Sequence, residues 1–178
     1  MNLENFDQKT SLIINTAFSY AAENNYAYFT PLNILEVMVK TDSEVKSTLN
    51  NFSINIDNLY KEAKDLSKKS KKKKSNEETL VQGNIMILME YAQNESKKLN
   101  FKKVNSNILL LVLTSDLSPQ SKLLIEKYGL NYEKLFTFLS LNKQNRQESF
   151  EFLKKFTTDI TSLALNNKID PIIGREEE

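Results

Sequence analysis

Cysteine and histidine are both missing from the 178 residues. Without Cys there is no disulfide, no thiolate metal site and no thiol nucleophile. Without His the chain lacks the commonest general base and the commonest nitrogen ligand for metals. Together these absences weigh against catalysis by this chain on its own. Glycine and proline are scarce, three of each, at Gly83, Gly129, Gly174, Pro31, Pro119 and Pro171. Long stretches are therefore free of helix breakers. The longest apolar run, "ILLLVL" at 108–113, falls far short of the roughly 20 residues a membrane-spanning helix needs. The N-terminus "MNLENFDQKTSL" has no basic start followed by an apolar stretch, so no secretory signal is legible and the cytoplasm is the expected compartment. No G-x-x-x-x-G-K-[ST] loop occurs, so the chain is expected not to cradle or hydrolyse ATP.

What is present is the composition of a globular domain. Apolar residues make up 40% and charged residues 26%, enough for a real core. A net charge of +1 argues against nucleic acid or an anionic membrane as partner. From Phe6 onward, Phe6, Thr10, Ile13, Ile14, Ala17, Phe18 and Ala21 recur at steps of three and four, the stripe of a helix facing a core. Thr30-Pro31 reads as an N-cap followed by Pro at the first helical position. Ser43 is the expected cap of "EVKSTLNNF", and Asp57 lies at the start of "NLYKEAKDLSKK". The expectation is an all-α fold.

The second half repeats the programme of the first. A shift of 75 lays Ile13, Ile14 and Ala17 on Leu88, Met89 and Ala92, Tyr26 on Phe101, and Phe29 on Val104. It also pairs Pro31 with Ser106, Ile34 with Leu109 and Val37 with Val112. One inserted residue then makes the shift 76, pairing Phe52 with Tyr128, Ile54 with Leu130 and Leu59 with Leu135. Apolar positions, turns and caps agree at several levels, which identifies two tandem four-helix repeats, about 1–66 and 79–141, related by a pseudo-twofold. Gly129 suits a left-handed helix C-terminus.

Two stretches read as linkers. "SKKSKKKKSNEET" carries six Lys in the seven positions 68–74, and such a run cannot bury a face, so residues 67–78 read as a solvated, mobile connection. A polyanion contact is the rival reading of that run, disfavoured because it has no interleaved aromatic residue for base stacking. Residues 142–149 read as a second linker, before a short amphipathic helix through Phe152, Phe156, Ile160 and Leu163. Pro171 then forces the chain extended at Asp170.

The double repeat followed by "LKKFTTDITSLALNNKIDPIIGREEE" resembles the N-terminal region of the Clp/Hsp100 AAA+ unfoldases, and most of all the ClpB branch of disaggregating chaperones. "DPIIGREEE" stands where that family has Asp-Pro-(Val/Leu/Ile)-Ile-Gly-Arg-(Asp/Glu) at the entry to its first ATPase domain. The resemblance implies that residues 150–178 begin such a domain and break off inside it. In the longer parent, Pro171, Ile172, Ile173 and Gly174 would contact the nucleotide base, with ATP and Mg as cofactors. It also implies a parent that is hexameric and works with the Hsp70 system, while this stretch alone is expected to be monomeric.

For residues 1–141 the resemblance implies a domain that engages unfolded or aggregated polypeptide and passes it to an ATP-driven threading ring. The alternative is an adaptor-docking domain of a ClpA- or ClpC-type protease unfoldase. The expected groove lies at the start of the first helix, with Leu3, Phe6, Asp7 and Thr10, and at the matching start in the second repeat, with Lys102, Asn105 and Asn107. Asp7 stands where the family commonly has Thr, and Lys102 and Asn107 stand near positions that are often acidic.

Overall fold

The computed structural model describes residues 2–74 and 77–156, those from 145 on as backbone alone. The chain divides into two compact units, Met1–Leu139 and Ser140–Glu178. In chain order the elements are α1 (Gln8–Glu23), β1 (Tyr28–Phe29), α2 (Pro31–Thr41), α3 (Ser43–Asn51) and α4 (Ile56–Lys68). They are followed by β2 (Leu80–Val81), α5 (Gly83–Lys98), α6 (Ser106–Leu113), α7 (Pro119–Lys127) and α8 (Tyr132–Phe156).

The pseudo-repeat is present in detail. Every position paired by the 75- and 76-residue shifts is buried or half-buried in both halves. The turns repeat as well. Asn25 and Asn100, 75 apart, both take positive φ (57° and 55°) after α1 and α5. Ser53 (56°) and Gly129 (83°), 76 apart, do the same after α3 and α7. Left-handed backbone is where Asn and Gly cost least. Even the strand contact repeats. Phe29 pairs with Val81 in the parallel β1–β2 ladder, and the equivalent residues Val104 and Phe6 form a parallel bridge.

Helices α2 and α6 form the centre. Buried residues run from Pro31 to Val39 in α2, and in α6 Ser106 and Ile108–Leu113 are buried. A helix buried all round needs partners on every side, and these two have them. α2 packs on α1, α3, α4, α6 and α7, while α6 packs on α1, α2, α3 and α5. Burying one such Leu or Ile contributes roughly 1.5–3 kcal/mol. The repeats are thus interlocked through one core. At the rim, Lys127 Nζ lies 2.7 Å from Glu62 Oε2, and the Tyr128 hydroxyl donates to Glu62 Oε1 at 2.9 Å, tying α7 to α4. Buried Glu95 accepts from the Tyr132 hydroxyl (2.7 Å) and from Lys98 (2.6 Å), anchoring the start of α8.

Several expectations change. Ser43 is the first helical residue of α3, and the cap is Asp42, whose Oδ1 accepts from the amides of Glu44 (2.7 Å) and Val45 (2.9 Å). A carboxylate satisfies two orphan amides where a hydroxyl would satisfy one. The Lys-rich run is pinned rather than loose. The Ala27 amide donates to Lys71 O and the Lys73 amide to Asn25 O, both at 2.8 Å. Lys72 Nζ donates to Asn24 O at 2.9 Å and sits 3.9 Å from the centre of the Tyr26 ring. Residues 142–149, read as a linker, are helical within α8, and so is the first part of the short helix expected after them. Ile160 and Leu163 lie outside the described residues, as do Pro171, Ile172, Ile173 and Gly174.

Candidate functional site

The interlocked repeats bring helix N-termini together in two clusters. In the first, Val104 bridges to Phe6, and the Asp7 amide donates to Val104 O at 2.9 Å, setting the start of α1 beside the start of α6. Asp7 Oδ1 caps α1 by accepting from the Thr10 amide at 2.7 Å. Asn105 Oδ1 caps α6 by accepting from the Ile108 amide at 3.0 Å. Asn107 Oδ1 accepts from the Thr48 hydroxyl at 2.8 Å, joining α6 to α3. Lys9 Nζ reaches Asp42, the cap of α3, at 3.1 Å. The helix starts of the first cluster are thus capped by the chain's own side chains, while Thr10 Oγ1, Asp42 Oδ2 and Ser106 Oγ are buried there without a partner among the described residues.

The second cluster gathers the starts of α2, α5 and α7 around a cavity of about 300 Å³. Its wall includes the three N-cap residues Thr30, Gln82 and Ser118, with Lys71 the one Lys among the described lining residues. Asn84 Nδ2 donates to Leu117 O at 2.9 Å and holds α5 against the turn before α7. Beside the cavity the short ladder presents apolar surface: Leu80 is 57% exposed, Val81 40% and their neighbour Tyr28 43%. Met86 and Ile87, on the helix that follows, are also more than half exposed. Under this edge, burial pushes the Tyr26 phenol above its ordinary range, and Glu36 adds to the rise. Among the described residues no group of acidic side chains could hold a metal ion, and no helix is long and apolar enough to cross a membrane.

The sequence profile of the Clp repeat (R) N-terminal domain matches residues 5–127. The chain belongs to this family. Over its whole length it is 28% identical to the chaperone protein ClpB of Rickettsia conorii, and it spans 22% of that protein. It is likewise 28% identical over its whole length to ClpB of Blochmanniella floridana, again spanning 22%. Among solved structures, the Hsp104 N-terminal domain of Candida albicans shares the fold, with a TM-score of 0.67 at 16% identity, covering 79% of this chain and 92% of that one. The ClpV N-domain of Vibrio cholerae does so with a TM-score of 0.65 at 17% identity, over 77% and 84% of the two chains. A ClpV N-domain in complex with a VipB peptide matches with a TM-score of 0.61 at 18% identity, over 76% and 87%.

Within this Clp N-domain, the residues singled out from sequence fall into one region but play unequal parts. Phe6 is 2% exposed, Thr10 is fully buried and Leu3 is half-buried against the core. Asp7 and Asn105 cap helices, Asn107 is engaged by Thr48, and Lys102 is exposed. The second cluster is nearly silent in the sequence. Its one legible signal is that both Thr30-Pro31 and Ser118-Pro119 begin helices with Pro at the first position. Nothing local says that these two starts meet.

Proposed function

We propose that this domain is the client-engaging N-terminal region of a ClpB-type chaperone. It binds exposed apolar segments of unfolded or aggregated polypeptide and presents them to an ATP-driven ring. The carrying observation is the apolar edge formed by Tyr28, Leu80 and Val81 on a two-residue parallel ladder. An unfolded client offers apolar side chains and free backbone amides, and a short ladder flanked by exposed apolar residues meets both. Leu3 and Lys102, at the first cluster, are the accessible members of a second contact region, with Phe6, Asp7, Thr10, Asn105 and Asn107 supporting it from beneath. The likeness to a ClpV N-domain solved with a peptide supports peptide recognition by this fold. The longer parent would be a cytoplasmic hexamer that uses ATP and Mg, works with the Hsp70 system, and contacts the nucleotide base through residues 171–174.

The affinity should be weak, with a dissociation constant on the order of micromolar or higher, because the apolar edge is small. The test is titration of a permanently unfolded, reduced and alkylated protein against the chain, and against a Leu80→Ser/Val81→Ser variant. Both positions are exposed, so the variant keeps its fold. Binding by the parent chain and its loss in the variant support the reading. No binding at any accessible concentration overturns it. The second reading, docking of a folded adaptor as in ClpA- or ClpC-type unfoldases, takes its place if an adaptor binds tightly where the unfolded protein does not.

A further inference from the structure

We propose that the Lys-rich strap selects among clients, making the apolar edge of Tyr28, Leu80 and Val81 a reader of unfolded segments whose apolar residues are flanked by Asp or Glu. The proposal rests on the client-engaging reading of that edge and names the class of segment it takes. Strap and edge are tied to one residue of backbone. The Ala27 amide donates to Lys71 O at 2.8 Å, and Ala27 O accepts from the Leu80 amide at 3.0 Å. Basic and apolar surfaces are therefore held in fixed register through Ala27. From Ala27 to Phe29, the partner of Val81, is two residues, no more than roughly 7 Å. Lys71 and Tyr28 also line the same cavity, where no acidic residue stands among the described lining residues.

The strap presents its charge from an anchored backbone. The Lys73 amide donates to Asn25 O at 2.8 Å, and Lys72 Nζ is committed to Asn24 O at 2.9 Å and to the face of the Tyr26 ring. Lys71 and Lys74 are exposed and have no carboxylate partner among the described residues. Glu77 is turned to the Lys74 amide, at 3.1 Å, and not to its ammonium group. Lys68, further back, pairs with Asp65 at 3.3 Å. Two cations thus stand unmatched on backbone already ordered, so incoming carboxylates do not have to order it.

The geometry fits a polypeptide and not a nucleic acid. The Leu80 and Gln82 amides both point into the segment that carries β1, to Ala27 O at 3.0 Å and Phe29 O at 3.1 Å. Strand alternation turns the amide and carbonyl of Val81, between them, away from β1. An added strand pairs with such an edge through its own backbone, and exposed Tyr28, Leu80 and Val81 meet its apolar side chains. A nucleic acid brings neither. Carboxylates beside the apolar core then steer the encounter toward the strap, and Lys-rich flanks are repelled by it.

The test is fluorescence anisotropy of the 178-residue chain with three labelled peptides sharing one apolar core, flanked by Asp and Glu, by Ser, or by Lys. At low ionic strength the acid-flanked peptide should bind about fivefold more tightly than the Ser-flanked one, with the Lys-flanked peptide weakest. At about 0.5 M salt the three should converge. A Lys71→Glu/Lys74→Glu variant leaves the backbone bonds of the strap in place. It should keep its affinity for the Ser-flanked peptide and reverse the order of the charged two, while Lys71→Gln/Lys74→Gln should level all three. Leu80→Ser/Val81→Ser should lose all three. Equal binding of the peptides by the parent chain, or an unchanged order in both Lys variants, overturns this proposal and leaves the client reading standing. Binding of none of them overturns both. A single-stranded oligonucleotide that displaces the acid-flanked peptide, and binds Leu80→Ser/Val81→Ser undiminished, assigns the strap to polyanions and also overturns the proposal.

Discussion

Around the first cluster of helix starts, Asp7, Asp42 and Asn105 each accept an amide hydrogen bond from their own helix. At the equivalent positions of the second stand Gln82, Ser118 and Thr30, and there neither Gln82 nor Ser118 caps its helix with its side chain. The backbones correspond down to the left-handed turns and the parallel strand contact. Two copies of one framework thus hold different surfaces, because caps sit at helix ends, where the fold tolerates several residue types. Core positions do not diverge in this way. Each is buried or half-buried in both copies, and a lost contact there costs far more than a changed cap.

The largest test of that contrast lies in the core. Phe29 is fully buried and meets the Phe18 ring edge-on at 5.5 Å. Phe29→Ala should lose about 3–5 kcal/mol of stability. Val104, its equivalent, is smaller, and Val104→Ala should lose about 2 kcal/mol. Urea unfolding of the two variants checks the order, and equal losses would break the equivalence of the two positions.

The caps come next. Asp42→Ala should lose about 1–2 kcal/mol, since Glu44 and Val45 both lose their acceptor. Ser118→Asp at the equivalent site should gain up to about 1 kcal/mol. Opposite signs in one denaturation series are the expected result.

The paired left-handed turns predict a smaller exchange. Gly129→Ala, at φ 83°, should lose about 1 kcal/mol, because a Cβ disfavours that backbone even with open space around it. Ser53→Gly, at φ 56°, should gain about 0.5 kcal/mol by relieving the same conflict.

The smallest effect concerns pH. Burial, with the hydrogen bond to Glu62, pushes the Tyr128 phenol up from 10.0 to about 12. A group raised on folding contributes stability that is whole below its unfolded pKa and is lost as pH rises through the folded one. The contribution of Tyr128 should therefore fade between pH 10 and about pH 12. Its equivalent in the first repeat is Phe52, which has no such dependence. Tyr128→Phe should flatten the alkaline loss of stability over that window, and an unchanged slope in thermal melts would remove Tyr128 from the account.

Much of this was legible in the chain. Helix α1, the Thr30-Pro31 start of α2, the left-handed Gly129 and the pairing of core positions follow from periodicity and turn chemistry, which are local. The misreadings have physical reasons too. Ser43 and Asp42 carry the same capping signal, since Ser and Asp are both favoured N-caps, and only the backbone at Asp42 decides between them. The Lys run looked loose because side-chain charge says nothing of backbone hydrogen bonds, and it is the backbone of Lys71 and Lys73 that is held. Residues 142–149 looked like a linker because their apolar residues are few, yet propensity is enough to carry a helix through them.

The sequence by itself determined that there are two copies of one helical unit, where α1 and α2 start, where Gly129 turns, and which paired side chains form the core. All of these depend on residues near one another in the chain. Only the tertiary structure decided that Thr30, Gln82 and Ser118 meet around one cavity, that Phe6 reaches Val104, and that Leu80 and Val81 stand exposed on a strand edge. Such placements arise when α2 and α6 are buried against each other's repeat, and cap residues of ordinary type carry no mark of the distant helix starts they will face.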